Sequence, residues 1–228
     1  FRGSGKFEKS EYAETKWVWP IQLLFNNIGW YLAYEEKVMG DKPGLLQTER
    51  IDRISQRRID PSKKRDRNQR DKALKKIKKL ISISGSIYFG NEIKEQENVI
   101  SASDNKLESI LKKIRFRTTE NIYKFLREEL QRYPINQIKF PKKTKLEFSD
   151  NWKDPDTGNF TLDILEGDSH PYPIEILLPI WTINDDIDFK RWIIGFRDEL
   201  IVESPSNFVK DMSEKIKNLG LIYPEIKS

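Results

Sequence analysis

The run Gly29-Trp30-Tyr31-Leu32-Ala33-Tyr34 and the later run Arg50-Ile51-Asp52-Arg53-Ile54 hold the residues best suited to a ligand. Neither places a nucleophile beside a base. Tyr31 offers a ring to stack on a base and a hydroxyl for a phosphate or ribose; Arg50 and Arg53 offer charge-assisted donors. Aromatic and cationic side chains on neighbouring short strands suit a nucleic acid or nucleotide. Side chains alternate along a strand, so Trp30 and Leu32 share one face, expected to be core, and Tyr31 and Ala33 the other. On a regular strand Arg50 and Arg53 fall on opposite faces, and Arg53 with Asp52 equally suits a structural ion pair. Arg2, beside Phe1, is a further cationic candidate.

Charge is concentrated in one place. The chain of 228 residues carries a net +5, yet residues 57–79 hold twelve Lys/Arg against three Asp, so the remainder is net negative. Such a run attracts polyanions by counterion release. Lys63, Lys64, Arg65, Arg67 and Arg70 are the candidates for non-specific phosphate contact; with no aromatic among them they cannot stack bases. The competing reading is a flexible linker and a solvated helix face, with 61–70 exposed and open to trypsin.

Other chemistries find little support. There is no Cys and a single His, His170, which excludes disulfides, thiolate metal sites and multi-His sites. Asp185, Asp186 and Asp188 fit a helix cap and first-turn acids better than a metal cluster, and His170 reads as an ordinary loop residue. No cofactor or metal is implied, and no nucleophile–base pair points to an enzyme. No apolar run approaches the roughly 18–20 residues that span a bilayer, and the absence of Cys agrees with a reducing cytoplasm.

The elements that must position these residues are as follows. Residues 16–35 read as a hairpin turning at Asn26-Asn27-Ile28-Gly29, with Pro20 at an edge or bulge. Residues 45–54 give a third strand. Ala73, Ile77, Leu80 and Ile81 mark a helix over 69–81. Leu107, Ile110, Leu111 and Ile114 mark a second, and Ile122, Phe125, Leu126 and Leu130 a third, capped by Thr118 or Thr119. Strands are expected at 145–149 and 160–165. A β-α-β-α series follows: a strand from Glu175 to Trp181, a helix capped by Asp185 or Asp186, a strand over 199–203, and a helix started by Ser204-Pro205 and stopped by Gly220.

Four ordered pieces resemble the WYL domain of bacterial proteins: Trp19-Pro20-Ile21, the triplet Trp30-Tyr31-Leu32, the pair Ala33-Tyr34, and Arg50-Ile51-Asp52-Arg53-Ile54. Leu178-Pro179-Ile180-Trp181 and Glu203-Ser204-Pro205 are similar to the extension that follows such domains. Gly85-Ser86-Ile87-Tyr88-Phe89-Gly90 and Gln131-Arg132-Tyr133-Pro134 resemble a subgroup found with CRISPR systems.

The resemblance implies an α+β chain: a small Sm/SH3-like β-barrel at 1–60, a basic linker and mostly helical insertion at 61–173, and an α/β C-terminal extension at 174–228. It implies a ligand-sensing module of a transcription regulator, such as one controlling a CRISPR locus, that binds nucleic acid or a nucleotide and forms a homodimer through the extension. An upstream winged helix-turn-helix of about 70–120 residues is then expected. The alternative is an accessory protein that binds single-stranded RNA or DNA and modulates a CRISPR or other defence effector. On this resemblance Arg53 faces the ligand. Gln47 and Glu49 stand where the family often carries Arg and an aromatic residue, which weakens phosphate contact at that edge.

Overall fold

The computed structural model describes residues 16–27, 29–38, 43–54, 58–142 and 159–222. Arg2 and the expected strand at 145–149 lie outside the described residues. The chain divides into two compact units, Phe1–Ser103 and Asp104–Ser228, each mixing sheet and helix, so the protein is α+β. That division falls inside the segment 61–173 that the sequence assigns to one insertion. Its helical start belongs with the first strands, and its later part with the C-terminal elements.

In the first unit β1 (Val18–Asn26), β2 (Gly29–Glu36) and β3 (Leu46–Arg50) form an antiparallel meander in that order. The hairpin turns at Asn27, whose φ of 52° is left-handed and tolerable for Asn. β1 is an edge strand, and its register slips between Pro20 and Gln22, a bulge that accommodates a residue with no N–H to donate. Among the described residues the sheet stays open; no barrel closes. The third strand is also shorter than expected. It ends at Arg50, and Ile51–Arg53 is a 3-10 turn.

A helix, α1 (Arg67–Ser84), follows. Asp66 accepts from the Gln69 N–H and Gln69 reaches back to Asp66, a capping box; Gly85, at φ 60°, ends the helix. Ala73, Ile77 and Leu80 are buried as their spacing demands, and α1 packs against β1 and against α2 (Ile93–Ser101). The buried Gln96 of α2 clips the edge of β3. Its Oε1 accepts from the Leu46 N–H at 3.0 Å, and its Nε2 donates to the Leu46 and Phe89 carbonyls at 2.8 and 3.0 Å.

The second unit begins with α3 (Asp104–Ile110), β4 (Lys112–Thr118) and α4 (Glu120–Leu130). β5 (Ile138–Pro141), β6 (Asn159–Leu162) and β7 (Tyr172–Leu178) follow. α5 (Ile180–Asn184), α6 (Ile187–Gly195), β8 (Leu200–Ser204) and α7 (Ser206–Ile222) complete it. The strand order is β6-β5-β7-β4-β8, antiparallel except β5 with β6. Without edge strand β6 this is the split β-α-β arrangement. Ile114, Phe116, Ile174, Ile176 and Leu178 line the sheet's inner face, and Leu126, Leu130, Phe189, Phe208 and Met212 close the core from the helices.

Three expectations need correction here. The helix expected through Ile114 stops at Ile110, because Ile114, Phe116 and Thr118 alternate with Lys113, Arg115 and Arg117 in a strand. In α4 it is Tyr123, not Phe125, that is buried. Gly220 does not stop the last helix, since its φ is not positive; Pro205 stands just before that helix, its carbonyl accepting from Phe208 and Val209. Among the described residues no helix is long and apolar enough to cross a membrane.

Candidate nucleic-acid interface

The register of β1 on β2 sets Phe25 opposite Trp30 and Leu23 opposite Leu32, all on one face of the meander. At this end of the strands that face is not core, although Tyr34, further along the same face, is buried. Phe25 is 62% exposed, Trp30 55% and Leu23 54%, and Leu32 is half-buried. The Phe25 and Trp30 rings meet edge to face, centroids 5.4 Å apart and planes at 66°. The expectation that Trp30 and Leu32 are core is therefore overturned. Burial shifts along the strand instead, to Ala33 and Tyr34. Alternation tells which residues share a face, not how far along that face the cover extends. Two adjoining exposed aromatic rings flanked by leucines form a surface on which planar bases can stack.

The residues singled out by sequence divide between the two faces. Tyr31 pairs directly with Arg50 across β2 and β3, on the face opposite Trp30. Arg50 is already engaged: its Nε and Nη2 donate to the Asp52 carboxylate at 3.0 and 2.6 Å, which raises its pKa further. Arg53, carried by the 3-10 turn, lies 4.0 Å from Glu49, which stands across from Leu32. Tyr31 and Arg53 are thus not brought together. Desolvation pushes the Glu49 carboxyl up; the Arg50 N–H and the Arg53 charge partly oppose this. Gln47 accepts from the Tyr34 hydroxyl at 3.0 Å and donates to Asn91 at 3.3 Å, a structural role.

The basic run is partly docked. Lys63 and Lys64 are exposed, but Arg65 is only 17% exposed and forms an ion pair with Glu35. Arg67 and Arg70 sit in the first turn of α1 beside Asp71, at 3.8 and 2.9 Å. The expected flexible linker over 61–70 therefore ends before Arg65. Further along α1, Lys76 pairs with Glu97, and Lys79 donates to the Ile100 and Ala102 carbonyls at the end of α2. Lys72, Lys75 and Lys78 are exposed and have no acid partner among the described residues. The 3.6-residue period shows them opposite Ala73, Ile77 and Leu80, a signal the charge count alone passes over.

The outer face of the second sheet is also charged, but its arginines are matched. Arg115 binds Glu175 at 3.1 Å and Glu203 at 2.8 Å; Arg117 binds Asp168 at 2.5 Å and Glu203 at 2.6 Å. Asp186 caps α6 by accepting from the Asp188 and Phe189 N–H groups. His170 is buried, with Nε2 2.7 Å from the Asp198 carbonyl and Nδ1 2.9 Å from the Ser169 hydroxyl. The Asp198 carbonyl can only accept, so the ring donates to it from Nε2. Among the described residues no group of three or more His, Cys, Asp or Glu could hold a metal ion.

Compared with known proteins, the chain matches no family model and no curated protein.

Proposed function

We propose that the chain is a non-enzymatic nucleic-acid- or nucleotide-binding module of the WYL type, acting in the cytoplasm as the sensing part of a transcription regulator. The observation that carries the binding reading is the exposed Phe25–Trp30 pair on one face of the meander. Bases stack on the aromatic rings, and the unpaired Lys72, Lys75 and Lys78 in the same unit supply sequence-independent attraction to phosphates. The meander followed by a 3-10 turn supports the finer reading of an Sm/SH3-like barrel. Homodimerisation through the C-terminal extension and control of a CRISPR locus rest on the resemblance alone.

Stacking needs unpaired bases. In a fluorescence-anisotropy titration the chain binds a labelled single-stranded oligonucleotide more tightly than a duplex of the same length. Equal affinity for both, or tighter binding to the duplex, would refute base stacking as the mode of recognition.

A further inference from the structure

A cleft of about 640 Å³ opens in the first unit, lined from β1, the end of β2 and α1. Trp19 forms part of its wall, with the Lys37 ammonium 5.7 Å and the Arg65 guanidinium 5.9 Å from the indole centroid. Every carboxylate in the lining already has a cation: Glu35 has Arg65, Glu36 has Lys16 at 2.8 Å, and Glu97 has Lys76 at 2.8 Å. Two lining cations are left over. Lys37 and Lys64 have no ion-pair partner among the described residues. Asp60 feels Lys37 only through space; its carboxyl is held low chiefly by the Ser62 hydroxyl. Arg65 is incompletely satisfied too. Its Nη2 bonds Glu35, but its Nη1 is buried with no acceptor.

Uncompensated positive charge beside an aromatic wall in one cleft supplies the elements of an anion site. We infer that this cleft takes a phosphate group. Lys37 and Lys64 hold the oxygens, and Trp19 packs against the organic part of the ligand. The inference is independent of base stacking at Trp30.

Isothermal titration of the whole chain with inorganic pyrophosphate tests it. Saturable one-to-one binding is expected. A Lys37→Gln/Lys64→Gln double variant should weaken it at least tenfold with an unchanged melting curve, since both lysines are exposed. Trp30→Ala should bind pyrophosphate like the unaltered chain, which separates this site from the stacking face. Repeating the titration with a single-stranded oligonucleotide present identifies the source: competition assigns the cleft to polymer phosphates, and undiminished binding to a free phosphorylated molecule. No saturable heat, or wild-type affinity in the double variant, overturns the inference.

Discussion

Gln96 lets a single side chain be tested against the fold that presents the aromatic face. It makes three hydrogen bonds to backbone groups and is itself buried, as is Leu46. Gln96→Leu keeps most of the volume and removes all three bonds. The Leu46 N–H and C=O then lose the partner that covers the outer edge of β3, and the Phe89 carbonyl loses a donor. A buried group left unsatisfied costs about 1–3 kcal/mol, and two to three such groups, partly relaxed by water, give about 3 kcal/mol. At a urea slope of about 1–3 kcal/mol/M this lowers the midpoint of the first unit's transition by about 1–3 M. Gln96→Glu is the sharper control. It keeps an acceptor for the Leu46 N–H but turns a carboxylate oxygen toward two carbonyls, so its deficit should shrink as pH falls and the carboxyl protonates. Tryptophan fluorescence in urea reads both. A Gln96→Leu midpoint within about 0.3 M of wild type would mean that these bonds add nothing net and that the clip is not what holds β3.

Two further outcomes follow from the same unit. The Glu49 pKa is raised by desolvation, so the folded state binds its proton more tightly than the unfolded one; stability from Glu49 is present below pH 4.5 and lost as pH rises through the folded pKa. Glu49→Gln should therefore gain stability over wild type across that window, measured by urea melts at several pH values; a difference independent of pH would contradict the burial argument. Replacing Lys72, Lys75 and Lys78 with Gln should reduce the slope of log K against log salt by about 2 for a single strand, from about 0.7 per phosphate contact. An unchanged slope would remove α1 from the interface.

Much of the fold can be read from residue types. The hairpin follows from its Asn-rich turn, α1 from its apolar stripe and α6 from the Asp186 cap, because each is fixed by local geometry. β4 could not be separated from the preceding helix, since Leu107, Ile110, Leu111 and Ile114 fit a helical period across a boundary that only the alternation after Lys112 reveals. The interface was legible in part. Trp30 reads as core from its alternation with Leu32, because a strand's pattern cannot say how far along a face another element covers it. Arg53 stands on a 3-10 turn, not on the continued strand that its sequence suggests, so alternation does not fix which way it faces. Arg65, charged and in a run of cations, looked solvated; its partner Glu35 is distant in sequence and invisible to local spacing.

The central claim is that the Phe25–Trp30 face stacks bases, and one anisotropy titration with single-stranded oligonucleotide tests it most directly. Both rings are largely exposed, so Trp30→Ala and Phe25→Ala should fold normally. Each stacked base contributes about 1–3 kcal/mol, so each substitution should weaken binding by about fivefold to a hundredfold or more while leaving the salt slope unchanged. Wild-type affinity in both folded variants would contradict the account.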